Sequence, residues 1–314
     1  MTGDLLPQHQ ALLDASAISK EVAFERGYRS ITVKAELEGL GFGKRQARPP
    51  ALLLPLWDVH GEIVNYQSRA DEPRMSKGKV VKYETPSGSR MDLDVPPRCR
   101  DGLDDPSIPL YITEAIRKAD AAASEGLCCV ALLGVWNWRG TNDKGGTTAL
   151  PAFESIALDG RDVYLVFDSD AWTNPHVARA LRRLRDFLKG RGAHVHLIRL
   201  PVGPGGVKTG LDDYFADGNS VDDLMGLVTD SVPSIEADDA SEAAYRSGAD
   251  GLVRLRHTGD GVVEERLTNF DARIVTDIIE DDGVEQQRLF EVEATLLERS
   301  AIFRVPARWF ASMN

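Results

Sequence analysis

The residues best placed to do chemistry are acidic and sit at the ends of apolar runs. Glu114 follows Leu110-Tyr111-Ile112-Thr113, and Asp168-Ser169-Asp170 follows Val163-Tyr164-Leu165-Val166-Phe167. Short apolar runs of this kind read as buried strands, and in an open parallel sheet ligands bind at the carboxyl edge of the strands. Period-two alternation sends Asp168 and Asp170 the same way. Two carboxylates on one side, with a third from a neighbouring strand, make a hard-oxygen pocket suited to Mg²⁺ bridging phosphate oxygens. That is the chemistry of phosphoryl transfer. The alternative is that strand-end Asp residues cap the next helix or solvate a loop; the paired spacing favours the pocket. A further acidic stretch, Lys208-Thr209-Gly210-Leu211-Asp212-Asp213-Tyr214, follows the run His194 to Leu200 and a Gly- and Pro-rich loop. Taken alone it reads as a helix N-terminus with acidic first-turn residues.

The elements that must hold these carboxylates repeat a strand-then-helix order. After Leu110 to Thr113 comes an Ala-rich helix to Glu125, a Gly126 cap and apolar Leu127 to Leu133. After Val163 to Phe167, Thr173 or Asn174 can cap a helix with Pro175 in its first turn, ended by Gly190 to Gly192 before His194 to Leu200. Strands alternating with helices predict a parallel sheet covered on both faces. Upstream, Ala11 to Gly43 reads as short helices with an exposed turn at Glu25-Arg26-Gly27-Tyr28. Ala51 to Pro55 and Glu62 to Ser68 predict a hairpin around Asp58-Val59-His60-Gly61, and Asp71 to Lys79 a mobile loop. Downstream, Asp222 to Asp250 reads as a helix fading into an acidic linker. Strand-like segments follow at Leu252 to His257, Val262 to Asn269, Ala272 to Ile279, Gln287 to Leu296 and Ala301 to Val305, joined partly by Gly259-Asp260-Gly261 and Asp281-Asp282-Gly283 turns. The expected organisation is an α+β subdomain (1–105), an α/β domain with the acidic residues (106–220), a helix and linker (221–250) and a β-rich module (251–314).

Composition narrows the function classes. The chain has 314 residues, 42% hydrophobic and 27% charged, with no run near the roughly 18 apolar residues of a membrane helix. No signal pattern opens it, so a cytoplasmic protein with no membrane partner is expected. Its net charge of −12 argues against a broadly basic nucleic-acid-binding surface, so any such contact must use a local basic patch. Three cysteines cannot make a four-thiolate metal site, and the six histidines lack ligand spacing.

Taken together, the pieces resemble the Toprim domain of DnaG-type primases, topoisomerases and related nucleases: apolar strand, Glu, helix, glycine turn, strand, Asp-x-Asp. Lys208 through Asp213 is similar in position to the Lys-Asp-Pro-Asp-like stretch of the primase branch. Leu53-Leu54-Pro55-Leu56-Trp57-Asp58-Val59-His60-Gly61-Glu62-Ile63-Val64-Asn65-Tyr66 looks like the Phe-Pro-Ile-x-Asp-x-x-Gly-x-Val-x-Gly-Phe segment upstream of the primase Toprim, and Arg69 and Lys82-Tyr83 also match. The resemblance covers about residues 15 to 220. It implies Glu114, Asp168 and Asp170 as catalytic residues that, with Asp212 and Asp213, hold Mg²⁺ or Mn²⁺, and Arg69, Lys82, Tyr83, Lys118 and Lys208 as nucleotide or template contacts. The implied partners are single-stranded DNA, nucleoside triphosphates and a replicative helicase in cis or trans. The implied activity is primer synthesis in phage or plasmid-type replication, the alternatives being a Toprim nuclease and a catalytically silent DNA- or helicase-binding scaffold.

The sequence departs from the family at Ala115, where a Gly normally follows the Glu, and at Lys118, where an acidic residue is usual; Asp120 lies two positions on. These departures resemble Toprim variants of phage and mobile-element primase–helicases. The zinc-ligand cluster that precedes DnaG cores is missing. Gly203 to Thr209 lacks the Gly a phosphate-binding loop needs before its Lys. The predicted helix Pro175 to Lys189 has an apolar stripe at Val177, Ala180, Leu181, Leu184 and Leu188, with Arg179, Arg182, Arg183, Arg185 and Lys189 elsewhere around it. Those basic residues fit either a solvated face or a nucleic-acid backbone track. Trp136-Asn137-Trp138-Arg139 reads as aromatic loop packing more readily than as a base-stacking platform.

Overall fold

A computed structural model of the chain describes residues 5–76, 78–141, 147–233, 245–248, 251–258, 261–266, 268, 270–281, 286–296 and 299–307. The chain divides into two compact units, Met1–Ile235 and Glu236–Asn314.

The first unit opens with helices α1 (Pro7–Asp14) and α2 (Lys20–Arg26), strand β1 (Arg29–Ile31) and helix α3 (Lys34–Gly39). Strands β2 (Ala51–Trp57) and β3 (Ile63–Ala70) form the expected antiparallel hairpin, and β1 pairs on the other edge of β2. Strand β2 is apolar along its length because both its faces are buried. Leu52, Leu54 and Leu56 join the main core, while Ala51 and Leu53 join a smaller one with Ile31, Leu37 and Phe42. Two short strands, β4 (Met75–Ser76) and β5 (Lys79–Val80), pair within the segment expected to be a loop.

The turn after α2 is not the exposed one the sequence suggests. Arg26 and Tyr28 are buried. The Arg26 guanidinium reaches Asp94 Oδ1 at 2.5 Å and Asp120 Oδ1 at 2.6 Å, and Tyr28 donates its hydroxyl to Asp120 at 2.6 Å. A charged residue enters the interior when it finds carboxylate partners there, and these partners lie 68 and 94 residues away in sequence.

The sheet that carries the acidic residues is built from β6 (Leu110–Glu114), β7 (Cys128–Leu132), β10 (Asp162–Leu165), β11 (His194–Ile198) and β12 (Val228–Thr229); the short hairpin β8 (Arg139–Thr141) and β9 (Thr147–Ala149) lies between β7 and β10 in sequence. Its order is β12-β11-β10-β6-β7. Strands β11, β10, β6 and β7 are parallel, but β12 runs antiparallel at the edge. The sheet is therefore mixed, where the sequence pattern suggested a parallel one; the short return strand is too brief to show any periodicity.

Helices α4 (Ile116–Ser124), α5 (Pro175–Gly190), α6 (Leu211–Ala216) and α7 (Val221–Met225) connect the strands. Asn174 caps α5 by accepting from the His176 amide, and Val177, Ala180, Leu181, Leu184 and Leu188 are buried as their spacing requires.

The second unit contains two three-stranded antiparallel sheets. One is β13 (Tyr245–Gly248), β14 (Gly251–Thr258) and β15 (Gly261–Arg266); the other is β16 (Asp271–Asp281), β17 (Gln286–Leu296) and β18 (Arg299–Pro306). Of the turns read from sequence there, Gly259, Asp260, Asp282 and Gly283 lie outside the described residues, as does the linker over 234–244.

Candidate metal centre

Strands β6 and β10 are neighbours in register, Leu165 opposite Ile112, and the pairing continues past β10 as the Val166 amide donates to Ile112 at 2.9 Å. Their carboxyl ends therefore stop side by side. Glu114 closes β6, and the Asp168 amide lies 3.4 Å from its Oε1. Asp168 stands at the start of a 3₁₀ turn over Ser169–Trp172, which carries Asp170, and its side chain makes no capping hydrogen bond. One oxygen each from Glu114, Asp168 and Asp170 lies within 4.8 Å of the others, a spacing that can hold a metal ion.

Two ammonium groups share this cluster. Lys208 Nζ stands 2.8 Å from Asp168 Oδ2, 3.2 Å from Asp170 Oδ1 and 3.7 Å from Glu114 Oε1. Lys118, one helical turn after Glu114, contacts Asp168 Oδ1 and lies 3.9 Å from Glu114 Oε1. Burial pushes the Glu114 carboxyl up to about 7, reinforced by the negative charge of Asp168 and opposed by both lysines. Burial works against the charge of Lys208, but its contacts with Asp168, Glu114 and Asp170 outweigh it and hold the ammonium above the usual lysine range. Asp170 Oδ1 is buried, with the Lys208 ammonium as its charged neighbour. A donor set made only of carboxylate oxygens fits a hard divalent cation.

Gly210 shapes the floor of the cluster. A Cβ there would stand 2.7 Å from Asp212 Oδ1, 2.7 Å from the Lys118 Cε and 3.2 Å from Asp168 Oδ1. Asp212 is buried beside this point, its carboxyl raised by burial although Arg117 and Lys118 oppose the shift. Its other oxygen lies 3.5 Å from Arg117 Nη2. Asp213 instead accepts from the Gly210 amide at 2.8 Å and so caps α6. Asp120, the carboxylate nearest in sequence to Lys118, is committed to Arg26 and Tyr28.

A cavity of about 360 Å³ opens beside the cluster. Glu114, Ala115, Arg117, Lys118 and Asp212 line one side, and Leu54, Gln67, Lys82 and Tyr83 from the N-terminal part line the other. Arg69 lies on β3 opposite Leu52, and neither it nor Lys208 lines the cavity. Arg117 was not singled out by sequence. Its Nε donates to the Tyr83 hydroxyl at 2.7 Å and its Nη1 donates to the Ser16 hydroxyl, tying the two walls together. Its signal was its position three residues after Glu114, on the helix that starts at the sheet edge.

Residues 101–221 match a family described as a domain of unknown function, DUF3854. No curated protein matches the chain. Among solved structures, the DnaG catalytic core is similar with a TM-score of 0.50 at 15% identity, over 71% of this chain and 73% of that one. The primase of Aquifex aeolicus (zinc-binding and RNA polymerase domains) gives 0.49 at 15% identity, over 71% of this chain and 55% of that one. The RNA polymerase domain of Mycobacterium tuberculosis primase DnaG gives 0.49 at 17%, over 75% and 81%. This chain thus spans about half the length of that Aquifex chain. At such identities the likeness is one of fold: this is a Toprim-like, primase-like α/β fold carrying a cluster of three carboxylates at its sheet edge.

Proposed function

We propose that the chain is a primase-like nucleotidyltransferase that makes short primers on single-stranded DNA from nucleoside triphosphates, in phage- or plasmid-type replication, in cis or in trans with a helicase. The observation that carries this reading is the convergence of Asp168 and Asp170 on Glu114, which itself lines a cavity that also presents Lys82 and Tyr83. Glu114, Asp168 and Asp170 would hold Mg²⁺ or Mn²⁺, with Asp212 close by. A divalent ion there supplies positive charge to phosphate oxygens as charge develops in transfer. The rest of the work is placement. Lys82 and Arg117, which line the cavity, would take triphosphate oxygens, Lys208 would exchange its carboxylate contacts for phosphate, and Arg69 would hold template. Lys118 contributes one positive charge beside Asp168 and Glu114, so the centre would either hold fewer metal ions or draw on Asp212 as a further ligand.

One observation favours a second reading, a catalytically silent scaffold: two lysines satisfy the carboxylates without any metal. A single assay separates the possibilities. Full-length protein is incubated with Mn²⁺ or Mg²⁺, single-stranded template and labelled triphosphates. Short labelled oligomers that disappear in Asp168→Asn support primer synthesis. Template shortening without synthesis supports a nuclease, and neither product supports the scaffold.

A further inference from the structure

The loop after β7 and the outer face of α5 form a surface that the proposed chemistry does not use. The Arg139 guanidinium lies over the Trp136 ring at 4.2 Å and within 5.7 Å of the Trp138 ring. Trp138 is buried and stacks on Phe187 of α5 at 5.2 Å, so it anchors the loop to the helix. Trp136 is only partly buried; its indole N–H donates to His176 Nε2 at 2.9 Å, which fixes the ring upright against the start of the same helix. The loop packing expected from sequence thus accounts for Trp138. It leaves Trp136 and Arg139 as a stacked pair at the surface.

Arg179, Arg182 and Arg183 are exposed on α5, the helix that Trp136 and Trp138 contact through His176 and Phe187. Positions 176, 179 and 183 recur at helical spacing and share one face with His176. Arg139 is near enough to Arg183 that burial and the neighbouring positive charge both weigh against its own. Among the described residues no carboxylate makes an ion pair with Arg139, Arg179, Arg182 or Arg183. In a chain with 49 acidic residues and a net charge of −12, exposed arginines without a carboxylate partner make a local site for an anion.

The patch also has a direction. Leu133 and Gly134 line the 360 Å³ cavity, and Trp136 follows two residues later. A chain lying on the Trp136–Arg139 pair would leave it at the cavity rim.

We propose that Trp136, Arg139 and the arginines of α5 bind single-stranded nucleic acid, bases stacking on the Trp136–Arg139 pair and phosphates following Arg179, Arg182 and Arg183, to lead the strand to the cavity. The aromatic pair selects unpaired bases, because a duplex hides base faces. Arg179 and Arg183, one turn apart on one face with Arg182 beside them, select a repeating anion. This inference deepens the nucleic-acid reading of the centre, yet its contacts are separate from the metal ligands.

The test is fluorescence anisotropy of a labelled oligothymidylate titrated with the full chain without divalent metal. Trp136→Ala should weaken binding about tenfold, the size of one lost stacked base. The exposed double variant Arg179→Glu/Arg183→Glu should weaken it further and lower the salt dependence by about 0.7 per arginine removed. Because Trp136→Ala also removes loop packing, the double variant, checked by circular dichroism for an intact fold, decides the matter. Unchanged affinity in that variant overturns the inference. Equal competition by polyglutamate and by oligothymidylate also overturns it, pointing to a protein partner or an unselective anion site. Failure of the metal centre would appear instead in metal titration and synthesis, with this binding intact.

Discussion

Replacing Ala115 with glycine should make the protein more stable, against the usual direction for a change from alanine to glycine. Ala115 joins Glu114 to helix α4 with φ 128° and ψ 144°, and is one of two non-glycine residues with positive φ among those described. That region of backbone space is almost restricted to glycine, and a side chain held there costs ~1–3 kcal/mol. Glycine removes that strain but adds ~0.5–1 kcal/mol of chain entropy to the unfolded state. The net gain is ~0–2.5 kcal/mol, centred near ~1.2 kcal/mol. For a unit the size of Met1–Ile235, at ~3 °C per kcal/mol, the melting temperature should rise by about 4 °C. Thermal unfolding followed by circular dichroism measures it, with Ala119→Gly as the control. Ala119 is buried inside α4, so that change should cost ~1 kcal/mol. A melting temperature that falls in Ala115→Gly as it does in the control would refute the strained link between the acidic residue and its helix.

Two further outcomes follow from buried charge. Arg26→Met leaves Asp94 and Asp120 buried without their cation and should destabilise the protein by ~3–5 kcal/mol in urea unfolding; adding Asp94→Asn and Asp120→Asn to it should recover most of the loss. Glu114 holds its proton up to about 7 in the fold, against 4.5 for a free glutamate side chain. The folded state therefore binds a proton that the unfolded chain has released. Without divalent metal, stability should fall as pH rises between those two values, by up to ~3 kcal/mol. Chemical denaturation across that window should show the slope in the wild type and a flatter line in Glu114→Gln; equal slopes in the two would contradict the assignment.

The acidic cluster was legible because its signals are local. Glu114 and Asp168-x-Asp170 each close an apolar run, and a parallel register needs only matching strand ends to bring them together. The glycine expected after Glu114 also has a visible reason, since the chain turns there through a glycine-type conformation that Ala115 must adopt. What the sequence could not convey was partnership at long range. Arg26 reads as a surface residue until Asp94 and Asp120 are seen around it. Lys118 reads as a missing carboxylate, whereas its side chain turns back to Asp168 and Glu114. Asp213 and Asp212 look equivalent in sequence, yet one caps α6 and the other is buried beside Gly210. The edge strand Val228–Thr229 is too short for any pattern, which is why the sheet was expected to be parallel throughout.

Calorimetric titration of the full chain with Mn²⁺, in parallel with Asp168→Asn and Asp170→Asn, tests the central claim most directly. A metal centre at the sheet edge predicts saturable binding in the wild type that both variants lose while keeping their fold. Equal binding in all three proteins, or none in the wild type, would contradict it.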